Sequence, residues 1–271
     1  MTNILSFDIE DWFQSTYNCD HAITDRVQFN TKHLLDLLSS FGIRSTFFVQ
    51  GMVAEAFPNL IRDIADAGHE VGTHGHSHRP VNTLGPAAFR VEVHRSKRLL
   101  EDVTGKPVIG FRAPDFSIDK ESFWAFDVLA EEGIQYDSSV FPARTPRYGI
   151  AYFQRRPHRL AGSGIYEIPM SVWDFNGKVF PVAGGGYFRL FPYVFTRRIL
   201  RKINLQGLPG VVYIHPYELN PDDFRGESVP WRIRLHQGLF RSRVRPRLIK
   251  LLKDFSFVSC GDWYEKHRSE C

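Results

Sequence analysis

Cysteine is scarce: Cys19, Cys260 and Cys271 are the three in 271 residues, widely spaced and without a Cys-x-x-Cys pair. That excludes a disulfide framework and a thiolate zinc ribbon. Long apolar runs are also missing. No stretch reaches the ~18 uninterrupted apolar residues of a membrane helix, and the uncharged stretch Ile203–Tyr217 is broken by two Pro, two Gly and a His. The first residues have no basic segment and meet Asp8 early, so they do not read as a secretory signal, and a cytoplasmic location is expected. With 43% hydrophobic and 24% charged residues, the chain is neither disordered nor collagen-like. A chain of this mass exposes roughly 12,000 Å² when folded, enough burial for a large core without staples. There is no internal repeat and no linker-like shift in composition, so a single domain over 1–271 is expected.

Acidic charge is short in one half only. Residues 1–140 hold 12 Lys/Arg and 20 Asp/Glu, a net of −8, whereas residues 141–271 hold 22 and 10, a net of +12. A basic field of that kind attracts phosphates, anionic head groups or acidic glycans, or simply keeps the protein soluble. No nucleic-acid motif accompanies it, which argues against a nucleic-acid partner.

The first 140 residues alternate strand and helix patterns. Asn3–Phe7, Ser45–Val49, Glu70–Thr73, Val108–Phe111 and Ile134–Tyr136 read as strands. His33–Phe41, Pro58–Ala67, Pro86–Val103 and Glu121–Glu132 read as helices, most of them stopped by Gly. This order implies βαβ crossovers and a largely parallel sheet. Further on, Ile165–Val172 reads as one strand, Phe195–Ile203 as a helix, Gly210–Ile214 as a strand, and Arg243–Asp254 as a helix before a strand Phe255–Val258. An irregular, Arg-rich insertion at about 141–164 is expected to border a cleft, and a basic C-terminal extension runs over about 220–271.

Several chemistry-bearing groups fall where strands end. Asp8, Glu10 and Asp11 crowd three acids into four residues, which a metal ion or a nearby Arg would balance. His74 and His78 have the i, i+4 spacing of paired metal ligands. Arg112 and His215 also follow strands, and the carboxyl ends of parallel strands share one rim. A metal with an open position, a carboxylate and a separate His suit metal-assisted hydrolysis. Side chains two apart on a strand share a face, so Glu10 is favoured with Asp8 in one site, and Asp11 is the alternative ligand if the chain has already turned.

Taken together, these motifs resemble the polysaccharide deacetylases of carbohydrate esterase family four, the nodulation-protein B homology domain. The resemblance runs from Ile4 to about Leu219. Phe-Gly-Ile-Arg-Ser-Thr-Phe-Phe-Val and Ala-Gly-His-Glu-Val-Gly-Thr-His carry its densest part, followed in order by Phe-Arg-Ala-Pro and Tyr-Ile-His-Pro. The run Gly184–Arg189, the His-Pro-Tyr-Glu-Leu ending and the basic C-terminal helix are similar to the subgroup associated with exopolysaccharide and exosortase gene clusters. The resemblance implies an α/β fold, a distorted (β/α) barrel of about seven strands, with a divalent metal, usually zinc. It implies removal of acetyl groups from N-acetylated sugars of a polysaccharide or lipid-linked glycan, and the five Arg of the insertion lead us to expect an anionic group on that substrate. On that basis His74 and His78 fall on metal ligands, Asp8 on the general base, Arg112 on the residue holding that base, and His215 on the general acid. Asp137 falls to its partner, the Asp115 N–H to the oxyanion donor, and Val212 with Ile214 to the acetate pocket. The sequence departs from the family pattern at Asp8-Ile9-Glu10-Asp11, where two adjacent Asp are usual, and at Asp115, where an aromatic is usual. A small-molecule amidohydrolase and a non-catalytic glycan-binding barrel are the alternatives; an open groove favours a glycan and a closed pocket a small substrate.

Overall fold

The computed structural model describes residues 1–145, 148–182, 184–223 and 230–269; the expected insertion and C-terminal extension are therefore described in part, and Arg147 and Cys271 lie outside. The strands are β1 (Asn3–Ile9), β2 (Thr46–Val49), β3 (Glu70–Thr73), β4 (Gly110–Phe111), β5 (Tyr136–Asp137), β6 (His158–Arg159), β7 (Tyr166–Glu167), β8 (Val172–Phe175), β9 (Lys178–Pro181), β10 (Val211–Ile214) and β11 (Phe257–Val258). The helices are α1 (Arg26–Phe41), α2 (Gly51–Ala56), α3 (Pro58–Asp66), α4 (Pro86–Thr104), α5 (Trp124–Glu131), α6 (Gly185–Leu190), α7 (Tyr193–Leu205), α8 (Trp231–Gly238), α9 (Val244–Asp254) and α10 (Cys260–His267).

One curled sheet runs β10-β1-β2-β3-β4-β5-β7-β6, with β11 also paired to β1, nine strands among the described residues where about seven are expected. Every pairing in it is parallel except β6 with β7. The sheet does not close by a ladder among the described residues. Ser171 reaches across the gap instead, its Oγ accepting the Val211 N–H at 2.7 Å. The molecule exposes 12,348 Å², close to what its mass demands.

The pleat of β1 sorts the core into two layers. All seven residues of the strand are buried. Leu5, Phe7 and Ile9 join the apolar cluster formed with Leu34, Leu38, Ile61 and Leu248 of the surrounding helices. Ile4 joins a second cluster inside the curl with Phe48, Tyr136, Tyr166 and Tyr213. Alternation therefore leaves Ser6 and Asp8 on the inner face, where a polar site can sit.

Three sequence expectations change. Ile165–Val172 is two strands in two sheets, because Pro169 cannot donate to a ladder and the chain turns there into the β8–β9 hairpin. Helix α1 begins at Arg26, seven residues earlier than its apolar repeat, because its first turns bury Val27, Asn30 and Thr31, two of them polar. The C-terminal segment is no appendage: β11 pairs with β1, and α10 buries Trp263 and Tyr264 against the inner cluster.

Candidate metal centre and active site

The carboxyl ends of β1, β3 and β10 deliver Asp8, His74 and His215 to the floor of one open cavity of about 840 Å³, and that of β4 places Arg112 beneath it. Arg112 is the buried frame of this floor. Its Nη1 donates to Asp8 Oδ1 at 2.7 Å and to Ser6 Oγ at 2.8 Å, its Nε to the Ser138 carbonyl at 2.9 Å, and its Nη2 to Ser138 Oγ at 3.0 Å. The guanidinium also lies 4.3 Å from the Phe48 ring centroid. A charge so fully paired holds one Asp8 oxygen and leaves Oδ2 facing the cavity, 4.0 Å from His215 Nε2.

His74 Nδ1 donates to the Arg112 carbonyl at 2.8 Å, which leaves Nε2 as the lone-pair nitrogen. That nitrogen lies 3.5 Å, and His78 Nε2 2.5 Å, from the same oxygen, Glu10 Oε2. His78 reaches it from a left-handed backbone, φ 61°, uncommon for a non-glycine residue. The other Glu10 oxygen accepts from Ser15 Oγ at 3.1 Å and Tyr217 OH at 3.2 Å. Burial opposes ionisation of Glu10, but His78 and His215 beside it hold its carboxyl well below the usual range. Burial likewise opposes a charged His78, and Glu10 turns its shift upward.

These three residues fit a divalent cation. Their ligand atoms lie within 4.8 Å of one another in a buried group. Glu10 Oε2 is buried with no hydrogen bond although two imidazoles converge on it, the orphan that a metal would satisfy. One carboxylate and two His form a three-ligand set with room for water. Asp11 is not part of it. Its carboxylate turns outward to accept from Phe13 N at 3.0 Å, Thr24 N at 2.7 Å and Thr24 Oγ1 at 2.5 Å, so it fastens the chain after β1.

Two further expectations are corrected. Asp137 does not meet His215: it accepts from Ser139 N and Oγ at 2.9 and 2.6 Å, and burial raises it against the lowering effect of its hydrogen bonds with Glu167 and Ser139. Glu218 takes the place expected for it, its Oε2 3.1 Å from His215 Nδ1 and accepting the His215 N–H at 3.2 Å. The signal was present in His215-Pro216-Tyr217-Glu218, an i, i+3 capping pattern with Pro in the first turn. Burial lowers the His215 pKa, but Glu10, Glu218 and Asp8 outweigh it and push the group up to about 9. Val212 and Ile214 do not line the cavity. Both sit in the outer cluster, and the same pleat turns Tyr213 inward to the site. Asp115 does line the cavity, on a left-handed backbone with φ 55°. From the expected insertion, Thr145 and Tyr148 reach the cavity, whereas Arg155 bonds Asp174 elsewhere. The far wall, Tyr187, Leu190, Trp231, Leu235 and Leu239, was not read from the sequence, because isolated apolar residues in Arg-rich segments carry no site signal.

Residues 10–136 match the polysaccharide deacetylase family, and residues 138–265 match a domain of unknown function, DUF3473. The chain is 34% identical over 114 residues to a peptidoglycan deacetylase of Helicobacter pylori, covering 40% of this chain and 36% of that one. It is 27% identical over 120 residues to a peptidoglycan-N-acetylglucosamine deacetylase of Bacillus cereus, covering 40% and 44%. The matches thus span less than half the length of these relatives. A crystal structure of a Mycobacterium smegmatis protein assigned as a polysaccharide deacetylase shares the fold, with a TM-score of 0.66 and 20% identity over 100% of this chain and 92% of that one. The chain thus carries a polysaccharide deacetylase domain over residues 10–136, followed by a DUF3473 domain over residues 138–265.

Proposed function

We propose that this protein is a divalent-metal-dependent deacetylase of N-acetylated sugars in a glycan, with zinc as the metal that best suits one carboxylate and two imidazoles. The observation that carries this reading is the convergence of Glu10, His74 and His78 on one point beside the unshared oxygen of Asp8. A metal there supplies Lewis acidity toward the acetyl oxygen and lowers the pKa of its bound water.

The chain's own groups supply the rest. Asp8 Oδ2 accepts the proton of the attacking water while Arg112 fixes Oδ1, so the base is oriented before the reaction begins. His215 Nε2 donates a proton to the departing nitrogen, and Glu218 at Nδ1 keeps the ring cationic and aimed. Tyr217 stacks on His215 at 4.8 Å and ties its hydroxyl to Glu10, linking acid and ligand rigidly. The cavity is near the upper end of the roughly 300–1,000 Å³ of small-ligand pockets, and its open mouth favours a glycan over a small amide. Arg232 on its rim suits an anionic group on that glycan.

Acetate release from N-acetylchitooligosaccharides and peptidoglycan fragments tests the reading. Activity should vanish on exhaustive chelation and return with zinc, and His215→Ala should lose rate while retaining metal. Full activity after chelation, or loss of metal in His215→Ala, would overturn the assignment.

A further inference from the structure

The wall of the cavity opposite the metal centre continues onto the surface as a patch that is apolar and cationic together. Residues 184–205 and 230–253 hold five and eight Lys/Arg and no acid. These two segments also carry seven of the fifteen exposed large hydrophobic side chains found among the described residues. On α8, Trp231 is 68% exposed and Leu235, four residues on, 57%. On α7 the buried face is Thr196, Ile199, Leu200 and Ile203. Its opposite stripe, at i, i+4, i+7, i+8 and i+11, is Val194, Arg198, Arg201, Lys202 and Leu205, all exposed. Rings bridge the patch to the site: Tyr187 in the cavity wall lies 6.2 Å from Phe191, which lies 5.0 Å from Phe195. Beside Val194, Arg243, Arg247 and Lys250 line an open cavity of about 410 Å³, the scale of a phosphodiester head group.

We propose that this face docks the protein on an anionic lipid bilayer and holds the mouth of the deacetylase cavity against the membrane. Leu190, Trp231, Leu235 and Leu239 rim the cavity mouth, and Val194 and Phe195, reached through Tyr187 and Phe191, carry the exposed apolar surface outward from it. Mixed aliphatic, aromatic and Lys/Arg tips are the composition of interfacial helices: apolar tips enter the acyl boundary and cations meet lipid phosphates. Charge complementarity selects the occupant. Among the described residues, eight exposed cations, Arg198, Arg201, Lys202, Arg232, Arg243, Arg245, Lys250 and Lys253, against one exposed acid, Asp254, oppose a second copy of this same surface, and Val194, Leu205 and Leu235 have no ring with which to stack on a sugar.

Co-sedimentation of the full chain with vesicles tests the proposal. It should bind phosphatidylglycerol-containing vesicles, bind pure phosphatidylcholine weakly, and release with salt. Arg198→Ser with Arg201→Ser should weaken binding roughly 30-fold, at about fivefold per cation. Val194→Ser with Phe195→Ser should weaken it about tenfold or more. Both pairs lie outside the catalytic cavity, so acetate release from soluble oligosaccharide should stay unchanged. Absence of binding at low salt, binding indifferent to both pairs, or preferential capture by a soluble polyanionic glycan would overturn the proposal. Acetate release on the soluble substrate is scored separately, so failure of the deacetylase reading and failure of the docking reading give different results.

Discussion

Glu10 and Asp11 are adjacent acids, yet the structure gives them unrelated work. Glu10 stays on the inner face with two imidazoles against it, while Asp11 has turned away to three donors near Thr24. Glu10→Gln should therefore lower zinc affinity by more than about tenfold, since even outer partners of metal ligands are worth 10–100-fold. Asp11→Asn should keep the metal and lose about 1–2 kcal/mol of folding stability as its hydrogen bonds weaken. Calorimetric zinc titration and urea unfolding separate the two, and metal loss in Asp11→Asn would reverse the assignment. Period two was enough to favour Glu10 from the sequence; the fate of Asp11 was not legible, because its partner Thr24 lies thirteen residues away in an irregular segment. A second residue sets a pH response. His69 is buried beside Phe47, its Nδ1 accepting the Ser45 N–H at 3.3 Å. Burial and then Arg44 push its pKa down to about 4 from 6.5. The unfolded chain thus takes up this proton first, so the stability contribution is full above pH 6.5 and declines as pH falls toward 4. Between pH 7 and 5 the wild type should lose roughly 2 kcal/mol through this group. His69→Gln, neutral throughout, should flatten that part of the decline; equal declines in urea midpoint would refute the account.

Among the elements, β10 shows how far a pattern can be read before contact decides. Its position and length were legible, since Val211–Ile214 is a continuous β-branched and aromatic run flanked by Gly and Pro. Which face looked at the substrate was not, because both faces are apolar and a fully buried strand gives no alternation. The parallel pairing of Val212 with Leu5 and Ile214 with Phe7 puts those side chains outward against the helices, and Tyr213 inward. Val212→Ala should then cost about 2 kcal/mol of stability by opening a core void, with kcat/KM changed less than about twofold. Tyr213→Ala should instead lower kcat/KM by more than tenfold through lost substrate contact, roughly 1.4 kcal/mol or more. A Val212 variant with normal stability and impaired turnover would restore the acetate-pocket role that the sequence suggested. The short β4 and β5 and the helices α2, α6 and α8 were hard to delimit or unread for a related reason: two to eight residues carry too little periodicity to stand out.

On the scale of the whole molecule, the two family matches meet near residue 137, but the fold does not divide there. β1 lies just ahead of the first match and pairs with β2 inside it, while its other partners β10 and β11 belong to the second. Buried polar groups stitch the same seam: Asn3 Oδ1 accepts Gly210 N at 2.7 Å, Thr46 Oγ1 accepts Cys260 N at 2.7 Å, and Glu70 Oε2 accepts Gly261 N at 2.7 Å. The site crosses it too, since His215 and Glu218 face Asp8 and the metal ligands from the far side. A fragment of residues 1–137 would turn β1, buried along its whole length, into an exposed apolar edge, the kind of strand that templates aggregation. It should therefore lack a cooperative urea transition and well-dispersed amide resonances, whereas the full chain should show both. Zinc should not rescue it, because the metal ligands are all present in the fragment and what is missing is the cover over β1. A fragment that melts cooperatively would make the second half an accessory to an autonomous barrel; the pairing of β1 with β10 and β11 argues for the opposite outcome.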